Sequence, residues 1–230
     1  MRAYGTRIGC LLVVTCMVAQ ASPVGADDEP GSRAAGRVVE VLDRIRERMQ
    51  ETRYQHHRTV RERRGQYFFD CSGMVQWVLS RASRRSTVPL EPGERPLAID
   101  FVRRIERAPV DRYRGGWRRI ARLEDVRPGD VFAWRRPPDF QSANTGHVGF
   151  VVETPQPVAG RPGYFTARIA DASRYTHQDD TRPWPGPGGF GHGTILFSVD
   201  EAGEPTGYGW AGLRSRGTWE TDVVFGRVGP

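Results

Sequence analysis

From Val38 to about Gln50, the apolar residues Val38, Val39, Val41, Leu42, Ile45 and Met49 recur at three- and four-residue spacing with Arg and Glu between them. That periodicity predicts an amphipathic helix with one face on a core. Arg58 to Gln66 has little to bury and reads as a solvated loop or ragged turn leading to Tyr67-Phe68-Phe69. Asp70 then caps a second helix, whose Met74, Val75, Val78 and Leu79 face inward and whose first turn holds Cys71. A third helix, carrying Ile99, Phe101, Val102 and Ile105, follows a Pro-rich loop.

After Arg127-Pro128-Gly129-Asp130 the period changes. Short β-type runs cover Val131 to Trp134, His147 to Val152, Tyr164 to Ile169, Thr194 to Val199 and Thr221 to Phe225, with turn residues between them. Glu201 to Pro205 turns the fourth run into a hairpin with a strand near Tyr208 to Trp210, and Pro183 to Gly193 reads as a Pro/Gly-rich loop. Helices first and strands after predict an α+β fold, helices packed on an antiparallel sheet. No internal repeat is present.

The N-terminus changes the picture. Met1 to Arg7 is basic, Ile8 to Ala19 is apolar, and small residues run to Ala26, the pattern of a secretory signal peptide. Cleavage fits Ala21 or, better, Ala26; a lipoprotein anchored through Cys16 fits less well after Thr15. The expected organisation is a signal peptide over 1–26, a linker over 27–36 and one domain over 37–230, its loops enlarged near 82–120 and 183–193. No stretch reaches the roughly 20 apolar residues of a spanning helix. The expectation is an exported bacterial protein, secreted or periplasmic, without a membrane span and acting as a monomer.

Export gives the cysteines meaning. Two of the three, Cys10 and Cys16, lie in the signal, so the mature chain keeps Cys71 alone and no internal disulfide forms. A lone thiol outside the cell is either buried or used. The formal charge of +7 falls by two, to +5, when Arg2 and Arg7 leave. Every basic residue is Arg, scattered among acids and outside any nucleic-acid-binding motif, so anionic envelope polymers are the expected neighbours rather than nucleic acid.

Thiol chemistry needs a base and a residue to orient it. The helix N-terminus supplies Cys71 with partial positive charge and with N–H groups able to hold an oxyanion. His147 opens the strand after Asn144-Thr145-Gly146 and is placed to take the thiol proton, and Asp171 ends a strand able to lie beside it and fix the imidazole tautomer. His56, His57, His177, Asp179 and Asp180 match no zinc spacing and read as surface residues, so neither metal nor organic cofactor is expected. His192 is expected in the Gly-rich loop. Trp184, in the Pro-rich loop, is the tryptophan best placed for an exposed role.

Phe69-Asp70-Cys71-Ser72-Gly73-Met74-Val75 resembles the nucleophile motif of the NlpC/P60 peptidases. Arg127 to Val131 is similar to their turn into the sheet, and Gly146-His147-Val148-Gly149-Phe150 to their base strand. The resemblance covers about Arg37 to Ser173. It implies a papain-like fold and a cysteine hydrolase cutting amide bonds in peptidoglycan stem peptides through an acyl-enzyme on Cys71. The family's third residue, often His before Ala-Ser, corresponds to Asp171 of Asp171-Ala172-Ser173. Tyr54, with Asp70 and Ser72, corresponds to residues lining the oxyanion and substrate site. The order nucleophile, base, third residue disfavours the circularly permuted relatives, while the CHAP amidases share it. An amidase, acyltransferase or thioesterase with another substrate, or a non-catalytic envelope-binding protein, would carry the same pattern.

Overall fold

A computed structural model describes residues 28 to 230; the expected signal peptide, with Cys10 and Cys16, lies outside the described residues. These residues are α+β, with three α-helices and a mostly antiparallel sheet among them. Helix α1 (Arg33–Arg48) starts inside the expected linker, because Ser32 caps it by accepting from Ala35 N at 2.9 Å and Ala34 and Ala35 already face the core. Val38, Val41, Leu42 and Ile45 complete the buried stripe that the spacing predicted.

The Arg-rich segment is largely exposed, as expected, but its turn at Glu62–Arg64 is flanked by strands rather than by loop. Strand β1 (Glu51–Tyr54) pairs in parallel with β3 (Gln66–Phe69), and β2 (Thr59–Arg61) pairs with β3 from the other side. Thr52 fastens this small sheet to its surroundings by donating to Tyr67 O and accepting from Phe190 N, each at 2.8 Å. Chain after β3 enters α2 (Cys71–Ala82), and α3 (Ala98–Glu106) follows the long loop.

The large sheet holds β4 (Trp117–Ile120), β5 (Val131–Arg135), β6 (Gly146–Val151), β7 (Gln156–Pro157), β8 (Tyr164–Ser173), β9 (Gly189–Val199), β10 (Pro205–Gly209), β11 (Trp219–Glu220) and β12 (Val223–Val228). Its order is β11-β10-β9-β8-β6-β5-β12-β4, with β7 beside β8. The expected loop 183–193 is shorter than predicted, because Gly189 to Gly193 pair with Ile169 to Ser173 as the start of β9. His192 is therefore a buried strand residue, not part of a loop. The expected enlargement at 82–120 holds α3 and β4.

Alternation along the strands feeds two cores. Val131, Ala133, Val148 and Phe150 face the helices, while Phe132, Trp134 and Val151 face the opposite side. The second face needs cover, and the sheet supplies it by curling. Phe225 of β12 meets Phe197 of β9 with ring centroids 5.2 Å apart, and Trp134 of β5 stacks on Tyr208 of β10 at 4.1 Å. Among the described residues no helix is long and apolar enough to cross a membrane.

Candidate active site

Asp70 turns the chain from β3 into α2. Its extended backbone ends the strand, and its carboxylate accepts from Gly73 N at 2.8 Å. Cys71 therefore falls in the first helical turn, with its side chain on the face that packs against β6. The backbone N–H groups of Ser72 and Val148 reach its sulfur.

His147 belongs to β6, opposite Trp134 of β5, and Asp171 belongs to β8, opposite Gly191 of β9. The ladder between β6 and β8 covers only Phe150–Ala170 and Val151–Ile169, and the two polar side chains meet just past its end. His147 Nε2 lies 2.7 Å from Asp171 Oδ2. An ionised carboxylate only accepts, so Nε2 carries the proton and Nδ1 is the basic nitrogen. Among the described residues no hydrogen bond joins Nδ1 to the Cys71 thiol. Val148 links them, as the neighbour of His147 in the chain and a contact of the sulfur.

Burial sets the resting charge. The thiol, 8 % exposed, is pushed up to about 12 by burial and then by the charges of Asp70 and Asp171, against the pull of the Ser72 and Val148 amides. Burial thus outweighs the local pull that the helix N-terminus exerts towards the thiolate. His147 is lowered by burial, which outweighs the Asp171 bond. Both shifts favour the uncharged forms, the thiol and the neutral imidazole.

Asp171 is fully buried, and three groups compensate it. Arg182, His177 and His147 together hold its carboxyl well below the usual range against the desolvation that raises it. His177 Nε2 lies 2.9 Å from the same Oδ2 that His147 approaches. Arg182 Nη2 stands 2.9 Å from Oδ1 as an ion pair, though not aligned as a hydrogen bond, and also pairs with Asp180 at 2.6 Å. His177 and Asp180, read from the sequence as surface residues, are buried parts of this network; Arg182 carried no signal at all.

Donor atoms of His147, Asp171 and His177 lie within 4.8 Å of one another, as metal ligands would. Both imidazoles, however, sit at hydrogen-bond distance from one carboxylate oxygen, and Arg182 supplies the positive charge at the other. The donor set fits a hydrogen-bonded charge network better than a cation.

The remaining predicted site residues divide. Tyr54, at the end of β1, has its phenol raised by burial and then by the charges of Cys71 and Asp70, so it stands in the same electrostatic site as the thiol. Its ring packs edge-on to His56 and under the Arg174 guanidinium. Ser72 reaches the site through its backbone N–H alone, since its buried hydroxyl donates to Pro96 O at 2.8 Å. Asp70 is engaged by His56 and Arg95, each at 3.0 Å.

A groove of about 1070 Å³ runs along Gly73, Gln76 and Ser80 beside His57 and Arg84. At 100° per residue these helix positions lie opposite Cys71, so the groove touches the site only through Asp70. Trp184 is 63 % exposed and Tyr175 60 %, their rings 6.3 Å apart on the loop between β8 and β9. Comparison of the chain with family profiles, with curated proteins and with solved structures gave no match.

Proposed function

We propose that this protein is an exported cysteine hydrolase with a papain-like arrangement of the NlpC/P60 kind, cleaving amide bonds in peptidoglycan stem peptides through an acyl-enzyme. One observation carries the chemistry: a cysteine in the first turn of a helix, packed against the strand whose histidine is oriented by a buried aspartate. The substrate class rests on the motif resemblance.

In this mechanism His147 Nδ1 removes the thiol proton as Cys71 Sγ adds to the scissile carbonyl. N–H groups at the start of α2, with the Tyr54 hydroxyl, stabilise the oxyanion. Collapse expels the amine, which takes the proton from His147, and leaves a thioester. Water, deprotonated by His147, then attacks the thioester and releases the carboxylic acid and the thiol.

The test is mass spectrometry of fragments released from purified peptidoglycan, beside a Cys71→Ala control. Defined stem-peptide fragments that vanish in the control support the reading. No release by either protein overturns the substrate. The high thiol favours a second reading, an envelope-binding protein that keeps the shape without turnover. Binding to peptidoglycan unaffected by Cys71→Ala, with no release, would support it.

A further inference from the structure

We infer that His177 is a positioning residue held as an imidazolium, sharing Asp171 with His147 and thereby keeping His147 the neutral base. The inference rests on the hydrolase reading only in calling His147 a base.

The acceptors around the ring carry the argument. His177 Nδ1 lies 2.9 Å from the Trp210 carbonyl oxygen, and Nε2 lies 2.9 Å from Asp171 Oδ2. Neither oxygen can donate while Asp171 is ionised, and a neutral imidazole has one N–H for two acceptors. A neutral ring would set a nitrogen lone pair against either the Asp171 carboxylate or the Trp210 carbonyl oxygen, in a site closed to water where an unmade hydrogen bond costs most. The ring also lies on the Trp210 indole, with centroids 4.1 Å apart, a contact that favours a cation.

Charge balance points the same way. The groups facing His177 are Asp171 from β8, His147 from β6, and Asp180 and Arg182 from its own loop. Asp180 accepts from His177 N at 2.7 Å, and Arg182 is the like charge, bound between the two carboxylates. Two carboxylates and one guanidinium leave one negative charge, which a single protonated histidine cancels. Both histidines could hold that proton. Only His177 has an acceptor at each nitrogen, so the proton belongs there and His147 stays neutral.

The test needs no substrate, so it stands apart from peptidoglycan cleavage. In the intact protein with 15N-labelled histidine, NMR should show both ring nitrogens of His177 protonated through neutral pH. In His177→Gln the network loses its cation and His147 takes up the proton, which stabilises a Cys71 thiolate. Alkylation of Cys71 by iodoacetamide near pH 7 should then rise about tenfold, the effect of one pKa unit. A simple structural role predicts slower or unchanged alkylation. A singly protonated His177 in the wild-type spectrum overturns the inference, as does unchanged or slower alkylation in a variant with native near-UV circular dichroism. Should His177→Gln fail to fold, the wild-type spectrum decides.

Discussion

His147 Nε2 approaches Asp171 Oδ2 to 2.7 Å from a different strand, just past the point where β6 and β8 stop pairing. The imidazole is thereby fixed with its basic nitrogen on the other side of the ring. Burial of the thiol and of the imidazole favours the uncharged form of each. In the proposed hydrolase, proton transfer would accompany attack rather than precede it.

Turnover should therefore persist into mildly acid solution. The base works only when neutral, and burial lowers His147 below the ordinary histidine value of about 6.5, so kcat/KM should fall only once pH drops under that value. A pH profile of peptide release checks this; an acid limb above 6.5 would contradict it.

Asp171→Asn should leave the Arg182 guanidinium and the His147 and His177 imidazoles without their shared carboxylate. Breaking a buried pair in this way costs about 3–5 kcal/mol, to be read from urea unfolding at neutral pH. The folded-state pKa of Asp171 is depressed, so its contribution is full above the unfolded value of about 3.9 and is lost as pH falls below it. Wild-type stability should accordingly decline in acid more steeply than that of the variant.

Tyr54→Phe keeps the ring between His56 and Arg174 and removes the hydroxyl near Cys71. If the hydroxyl stabilises the oxyanion, kcat should fall about 10²-fold with unchanged thermal stability. An unchanged kcat would confine Tyr54 to packing.

Gly129→Ala should destabilise the domain without touching the site. Gly129 has φ +86°, and a Cβ there would run into the Ala35 carbonyl at the start of α1. Strain and clash together should exceed about 2 kcal/mol in a denaturation curve. The next residue, Asp130, is gripped by Arg227 at 2.9 and 2.8 Å, which makes this turn the junction of helix, sheet and C-terminal strand.

The sequence by itself determined the elements that local forces define. Asp70 as a cap, the apolar stripes of α1 and α2, and the strand holding His147 follow from backbone capping and from residue period, which act over a few positions. Cys71 and His147 could thus be placed on their elements without coordinates. Tertiary structure decided what surrounds them. His177, Asp180 and Arg182 are polar residues in a turn-rich stretch and carry no periodic signal; their burial depends on the loop folding back over β9. Gly191 and Gly193 read as loop residues because glycine usually marks turns, yet here they make room in a strand. A Cβ on Gly191 would meet Arg182 Cγ at 2.6 Å, and one on Gly193 would meet His177 Cβ at 2.6 Å. The thiol shows the same divide: a helix terminus favours the thiolate locally, but desolvation, a property of the whole packed site, outweighs it.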